Sequence, residues 1–247
     1  MLLDILFHDQ YMVAIDKPAG LLVHRSRVDL RAREFALQML RDQIGQTVYP
    51  VHRIDRPTSG VLLFALDKAT ARNLCDQFAA RSVGKTYLAI VRGKTAASLH
   101  WDEPLVEKRD RMTDGQARKD KPAQSAITEF ERRQTWTVPF SAGKYRNSRY
   151  SLVAAHPLTG RKHQLRRHFN HLAHPIVGDT TYGDRRHNRL FRDHLGIHGL
   201  MLMAQKMKLN HPVAQTPIEI EAPISDRFVA AIERLNQEHM AATEATR

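Results

Sequence analysis

Nine residues, His52-Arg53-Ile54-Asp55-Arg56-Pro57-Thr58-Ser59-Gly60, make a polar turn that runs straight into Val61-Leu62-Leu63-Phe64-Ala65. An unbroken apolar run bounded by turn residues reads as a fully buried strand. The turn sets one carboxylate, Asp55, between two arginines just ahead of that strand. A lone acid there is costly to desolvate unless it is paired or used. Flanked by cations, it is expected to stay ionised. Nucleophile, metal ligand and structural ion pair are the three roles open to it.

With 247 residues the chain can bury a proper core as one large domain. One lone cysteine, Cys75, excludes an internal disulfide framework and a cysteine-rich zinc site. The first nine residues lack a cationic segment and carry acids within a short apolar run, so they are not read as a signal peptide or a span. A reducing cytoplasm is the expected location.

Strands are expected at Asp4–Phe7 and Tyr11–Asp16, followed by turn chemistry at Lys17-Pro18-Ala19-Gly20. A helix is expected from about Arg31 to Ile44, stopped by Gly45. Asp67 can cap the next helix, with Ala71, Leu74 and Phe78 on one face and an end at Gly84. Lys85–Gly93 reads as a strand and residues 107–124 as an exposed loop. Further strands fall near Ser125–Arg132, Arg149–Ala155 and Leu200–Ala204, with a helix over about Arg161–Leu172. A core of about 4–224 is followed by a helix over 226–237 and a frayed tail over 238–247. Strands outnumber helices without regular alternation, which predicts an α+β domain with flanking helices on a mixed or antiparallel central sheet.

Charge is unevenly spread. Lys and Arg number 38 against 26 Asp and Glu, a net +12, and a surplus of that size points to a polyanionic partner. From Lys144 to Arg192 there are eleven Lys and Arg but only two acids, Asp179 and Asp184. Histidines and Tyr182 are interleaved with them, as in a nucleic-acid footprint. The spacing of His163, His168, His171 and His174 fits neither a zinc-finger nor a helical metal motif, and the arginines around them would repel a dication. No glycine-rich phosphate loop is present, which argues against a nucleotide cofactor.

Three segments stand together: the Asp55 turn, Lys85-Thr86-Tyr87, and Gly160-Arg161-Lys162-His163-Gln164-Leu165-Arg166. In that order they resemble the motifs of the RluA-type pseudouridine synthases. His174-Pro175-Ile176-Val177-Gly178-Asp179, Lys17-Pro18-Ala19-Gly20 and His211-Pro212 fit the same family. The resemblance covers about residues 4–224. It implies the pseudouridine synthase catalytic fold without an appended N-terminal RNA-binding domain. Val23-His24-Arg25-Ser26, Arg41-Asp42-Gln43-Ile44-Gly45-Gln46 and Gly183-Asp184-Arg185-Arg186-His187-Asn188-Arg189 are similar to family members that modify tRNA. That similarity implies uridine 65 of tRNA as target and tRNA as the partner; no obligatory protein partner is expected, and a monomer is the default expectation.

The resemblance also implies residue roles. Asp55 is the essential carboxylate, adding to C1′ or acting through abstraction of a ribose proton. Arg166 forms its salt bridge, and Tyr87 stacks on the uracil with its hydroxyl near C5. Arg53 fills the gap left by a flipped base and Leu202 walls the ring. Arg161, Lys162, His163, Gln164, Arg167 and the Arg185–Arg192 run meet the RNA. The reaction breaks and remakes a glycosidic bond without redox change, so neither cofactor nor metal is implied. Met203 departs from the family, where histidine is usual at that position.

Overall fold

The computed structural model describes residues 2–24, 33–107 and 122–244. An antiparallel hairpin opens the chain, pairing Asp4–His8 (β1) with Met12–Lys17 (β2). Helix Ala36–Ile44 (α1) and a two-residue strand, Tyr49–Pro50 (β3), lead to the Asp55 turn. Beyond it comes Ser59–Ala65 (β4), with all seven residues buried. Side chains alternate along a strand, so Leu62 and Phe64 pack with Leu40 of α1 on one face. Val61 and Leu63 join the main core on the other, with Leu74 of the next helix, Lys68–Ala79 (α2). The apolar run is therefore covered on both sides, as its composition requires.

Asp67 caps α2 by accepting from the Thr70 amide at 2.8 Å, a contact worth about 1 kcal/mol. The helix ends at Ala79, not at Gly84, because Arg81 adopts a left-handed φ of 60° and turns the chain. Gly84 instead opens Gly84–Arg92 (β5). The remaining strands are Ser98–Asp102 (β6), Ile127–Val138 (β7), Ser148–Pro157 (β8), Leu202–Asn210 (β9) and Pro217–Glu221 (β10). Helices Gln164–His171 (α3), Arg185–Leu195 (α4) and Asp226–Glu244 (α5) complete the described elements.

All ten described strands join one mixed sheet in the order β1-β2-β4-β9-β5-β8-β7-β6, with β10 on β9 and β3 on β4. Among these strands only β4 and β9 pair in parallel, over two steps, Ser59↔Met203 and Gly60↔Ala204. Gly60 has φ +106°, and a Cβ there would stand 2.0 Å from the Ala204 carbonyl oxygen. Only glycine lets the two backbones approach this closely. Past that contact β3 takes the place of β9 beside β4, pairing Tyr49↔Ala65 and Pro50↔Phe64. Residues 51–55 then run back along β4 toward Gly60, which carries the Asp55 turn into the seam between the half-sheets. Met203 is fully buried in that seam, between Ser59 and Leu88.

Several expectations are corrected. Residues 33–35 precede α1, which begins at Ala36 without a side-chain cap, while Arg31 and Ala32 lie outside the described residues. Most of the loop expected over 107–124 also lies outside them, as do Arg25 and Ser26. The α+β reading holds, but β6 and α4 went unforeseen. The frayed tail is helical as far as Glu244. Asn236 Oδ1 accepts from Trp136 Nε1 and Gln134 Nε2, both at 2.7 Å, and His239 lies 3.2 Å from the Thr137 amide nitrogen. These contacts bind α5 to β7 across its last turns.

Candidate active site

The Asp55 turn is held from below. Its own carbonyl accepts from the Thr58 amide at 3.0 Å. Lys17, fully buried at the end of β2, donates to the carbonyls of Pro18 (2.8 Å), Leu21 (2.9 Å) and Arg56 (3.1 Å). Burial pushes this ammonium down to about 7, against the pull of Asp55 and Asp16. Arg56 Nε donates to the Gly20 carbonyl and the Gly20 amide to the Arg56 carbonyl, each at 2.8 Å. The Lys17–Gly20 turn and the Asp55 turn are thus one tied unit. On the strand side, His52 Nε2 accepts from the Leu63 amide at 2.9 Å, and burial pushes that imidazole down to about 3.

The structure brings Arg166 to Asp55 from 111 residues away, with the guanidinium 3.1 Å from Asp55 Oδ2. Arg166 is itself clamped. Its Nε and second terminal nitrogen donate to the two oxygens of Asp179, at 2.6 and 2.8 Å. Burial opposes the charge on Arg166, but Asp179 and Asp55 more than offset it and raise its pKa. Asp179 is almost fully buried. Burial raises its pKa, but Arg166 and the Tyr182 and Thr181 amides outweigh that, so it stays below the usual carboxylate range. The guanidinium also lies 5.2 Å over the Tyr182 ring, a cation–π distance. His163 caps α3 at a left-handed φ of 56°. Its Nε2 is 3.8 Å from Asp55 Oδ1 and its Nδ1 is 3.0 Å from the Tyr182 hydroxyl.

Asp55 opens into a cavity of about 440 Å³ lined by Tyr87, Arg53, Leu202, His163 and Arg166. Burial, then the charge of Asp55, raises the Tyr87 phenol above its ordinary pKa. Tyr87 therefore stays protonated at neutral pH. An adjoining groove of about 500 Å³ shares Asp55, Arg53 and Arg161 and adds Lys162 and Arg167. Such a space, one carboxylate among cations with an aromatic and an aliphatic wall, can hold a planar polar ring while its phosphates lie on the basic rim.

Not every expected residue is free to bind a ligand. Gln164 Oε1 accepts from Thr159 Oγ1 (2.7 Å) and the Arg161 amide (3.0 Å). Its Nε2 donates to the Ile127 carbonyl (2.9 Å) and Thr128 Oγ1 (3.0 Å). Every donor and lone pair of that amide is committed, so Gln164 ties α3 to β7 and lines the cavity without a free hydrogen-bonding group. Arg167 is buried and donates to the Val106 carbonyl at 2.9 Å, although its side chain still lines the groove. Arg161 Nε donates to the Ser125 carbonyl. Arg185, Arg186, Arg189 and Arg192 lie on the exposed face of α4, opposite buried Leu190, Phe191 and Leu195. The clustered histidines diverge: His168 between Thr128 and the Glu103 carbonyl, His171 to Glu103, His174 to the Arg92 carbonyl.

Asp179, Tyr182, Lys17 and His52 carry much of this geometry, yet the sequence reading assigned them no role. Asp179 had a signal, as one of two acids in a window of eleven cations. Lys17 had one too, as a charge at the end of an apolar strand.

Residues 11–171 match the family described as RNA pseudouridylate synthase. The tRNA pseudouridine synthase C of Vibrio cholerae serotype O1 is 50% identical over 91% of this chain and 92% of its own length. That of Pasteurella multocida is 49% identical over 94% and 96%. Among solved structures, human RNA Pseudouridylate Synthase Domain Containing 4 superposes with a TM-score of 0.69 at 28% identity, over 94% of this chain and 93% of that one. The family match runs from the strand before Lys17 to the end of the Arg166 helix, and about half the residues are shared with full-length relatives: the chain belongs to the RluA-type RNA pseudouridine synthases.

Proposed function

We propose that this enzyme converts uridine to pseudouridine in tRNA, at position 65, with Asp55 as the essential carboxylate. The observation that carries the reading is the Asp55–Arg166 contact on the floor of a cavity shared with Tyr87 and Leu202. The bacterial relatives, named tRNA pseudouridine synthase C, support tRNA as the substrate, and the sequence similarities around Val23, Gln43 and Asp184 support the position.

A uridine inside a folded stem must leave the stack to reach Asp55, at a cost of a few kcal/mol. Arg53, on the cavity rim, takes the space the base vacates. Tyr87 and Leu202 sandwich the uracil, and Arg166 holds the Asp55 carboxylate toward the ribose. Asp55 opens the N1–C1′ bond, either by adding to C1′ or by taking up a ribose proton. The uracil turns and rejoins through C5; the C5 proton is passed on through the Tyr87 hydroxyl, which gives up its own proton as it receives one, and N1 takes up a proton in exchange. No atom is gained or lost. The whole chain acts as a single catalytic domain, as a cytoplasmic monomer. No described helix is long and apolar enough to cross a membrane.

Pseudouridine mapping in total RNA with and without the gene tests the substrate, and the Asp55→Asn variant tests the carboxylate. Loss of the tRNA position 65 signal, and no turnover by Asp55→Asn with RNA binding retained, is the expected result. Loss of an rRNA signal or of a different tRNA uridine would overturn the position. Full turnover by Asp55→Asn would overturn the role of Asp55.

A further inference from the structure

One wall of the Asp55 cavity comes from the end of α2, the connection after it and the start of β5, which supply Phe78, Arg81 and Lys85 in turn. Lys85 stands two residues before Tyr87 on β5, so strand alternation places both side chains on the same face, and both line the cavity. Arg81 is fixed by a turn in which its amide donates to the Phe78 carbonyl (3.2 Å) and the Ser82 amide to that of Gln77 (3.1 Å).

These two cations, like Arg53 in the same lining, differ from Arg166 and Arg161 in having no side-chain partner among the described residues. Arg166 is engaged by Asp179 and Asp55, and Arg161 by a backbone carbonyl. Neither the Arg81 nor the Lys85 side chain has a hydrogen-bond or ion-pair partner among the described residues. Asp55 is the only carboxylate among the described residues lining the cavity, and Arg166 already holds it. Burial, and then the charge of Arg81, lowers the Lys85 pKa, as expected of two like charges converging without a counter-ion. An anion placed between them would relieve both.

An RNA that delivers one uridine to Asp55 brings a phosphodiester on each side of that nucleotide. Arg53 and Arg161 line both the cavity and the adjoining groove, whereas Arg81 and Lys85 line the cavity alone. We propose that Arg81 and Lys85 form a phosphate clamp for one of the two phosphodiesters flanking the target uridine, while the groove carries the strand on the other side. The proposal rests on the RNA-modifying reading above and adds a second anchor to it.

The test measures tRNA affinity on the full chain carrying Asp55→Asn, so that the RNA stays unmodified. Two further RNAs carry a neutral methylphosphonate, one at the phosphate 5′ and one at the phosphate 3′ of the target uridine. Adding Lys85→Gln is expected to weaken binding of unmodified tRNA by about tenfold and to reduce the slope of log K against log salt by about 1. Lys85→Arg should recover most of that loss. One of the two methylphosphonates should weaken binding to the Asp55→Asn protein by a similar factor and add nothing further once Lys85→Gln is present. Arg81→Gln, at an exposed position, repeats the test if Lys85→Gln does not fold. Unchanged affinity in both variants, or additive weakening with both methylphosphonates, overturns the clamp. Because wild-type turnover is assayed separately, failure of the clamp is distinguishable from failure of the pseudouridine reading, in which no RNA would be modified at all.

Discussion

Asp179 receives two hydrogen bonds from Arg166, at 2.6 and 2.8 Å, on the guanidinium edge that does not face Asp55. The arginine is held on one edge by Asp179 while its other terminal nitrogen is presented to Asp55. Asp179 is therefore a positioning residue that acts through Arg166.

Asp179→Asn keeps the shape and removes the charge. Breaking a buried pair from one side costs roughly 3–5 kcal/mol, visible as a lower urea midpoint. The rate constant for uridine isomerisation should fall by about tenfold or more, since loss of orientation directly weakens the Asp55 contact. Arg166→Lys should be comparably damaging, because an ammonium cannot reproduce the two-point contact. A single-turnover rate for Asp179→Asn within about twofold of wild type would refute the positioning role.

Tyr87→Phe separates ring from hydroxyl. The ring that walls the cavity remains, so affinity for tRNA should hold within about twofold while the rate falls by about 10²–10⁴, the usual range for a lost proton-transfer group. Tyr87→Ala should lose both. Since the phenol pKa is raised, no limb of the wild-type pH–rate profile below about pH 10 belongs to Tyr87. Tyr87→Phe must leave the shape of that profile unchanged below this point.

His52 sets a pH dependence of stability. Its folded value of about 3 lies below its ordinary 6.5, so between those values the unfolded chain binds more protons. The contribution of His52 is complete above 6.5 and is lost as pH falls toward 3, with a slope of at most about 1.4 kcal/mol per pH unit. Urea midpoints from about pH 7 to about pH 4 should fall more steeply for wild type than for His52→Gln, which starts lower because the Leu63 amide loses its acceptor. Parallel curves would contradict this.

Gly60→Ala sets a methyl against the Ala204 carbonyl oxygen in a backbone conformation that favours glycine. A cost of roughly 3 kcal/mol or more is expected, with activity lost as the seam is forced apart. Gly45→Ala is the control. It also has positive φ, but nothing lies within 4 Å of the added carbon, so only about 1 kcal/mol should be lost. Equal urea midpoints for the two variants would rule out the close approach as the reason for glycine at 60.

The strands and caps that depend on neighbours in sequence were readable there. The apolar run after Gly60, the Asp67 cap and the Gly45 stop all follow from local patterning. What depends on distant partners was not. No local pattern says that Trp136 and Gln134 bond Asn236 and so keep α5 helical past Gln237. The outer face of α4 carries arginines whose solvation hid the helix beneath, and its apolar face of Leu190, Phe191 and Leu195 meets a core assembled from other segments. At the site, the motif order brought Asp55, Tyr87 and Arg166 into consideration, but motif matching does not weigh hydrogen-bond capacity. It grouped Gln164 with ligand-binding residues although its amide is saturated, and it assigned no role to Asp179, which orients the arginine.

The two-step contact between β4 and β9 also has a consequence in time. β1, β2 and β4 can pair from within residues 4–65, and β5 through β8 from within residues 84–157. The strand that joins these halves, and that carries Leu202, begins only at residue 202. Asp55, Tyr87 and Arg166 are thus all synthesised before Leu202, so the wall that this leucine supplies to their cavity is the last part of it to be made.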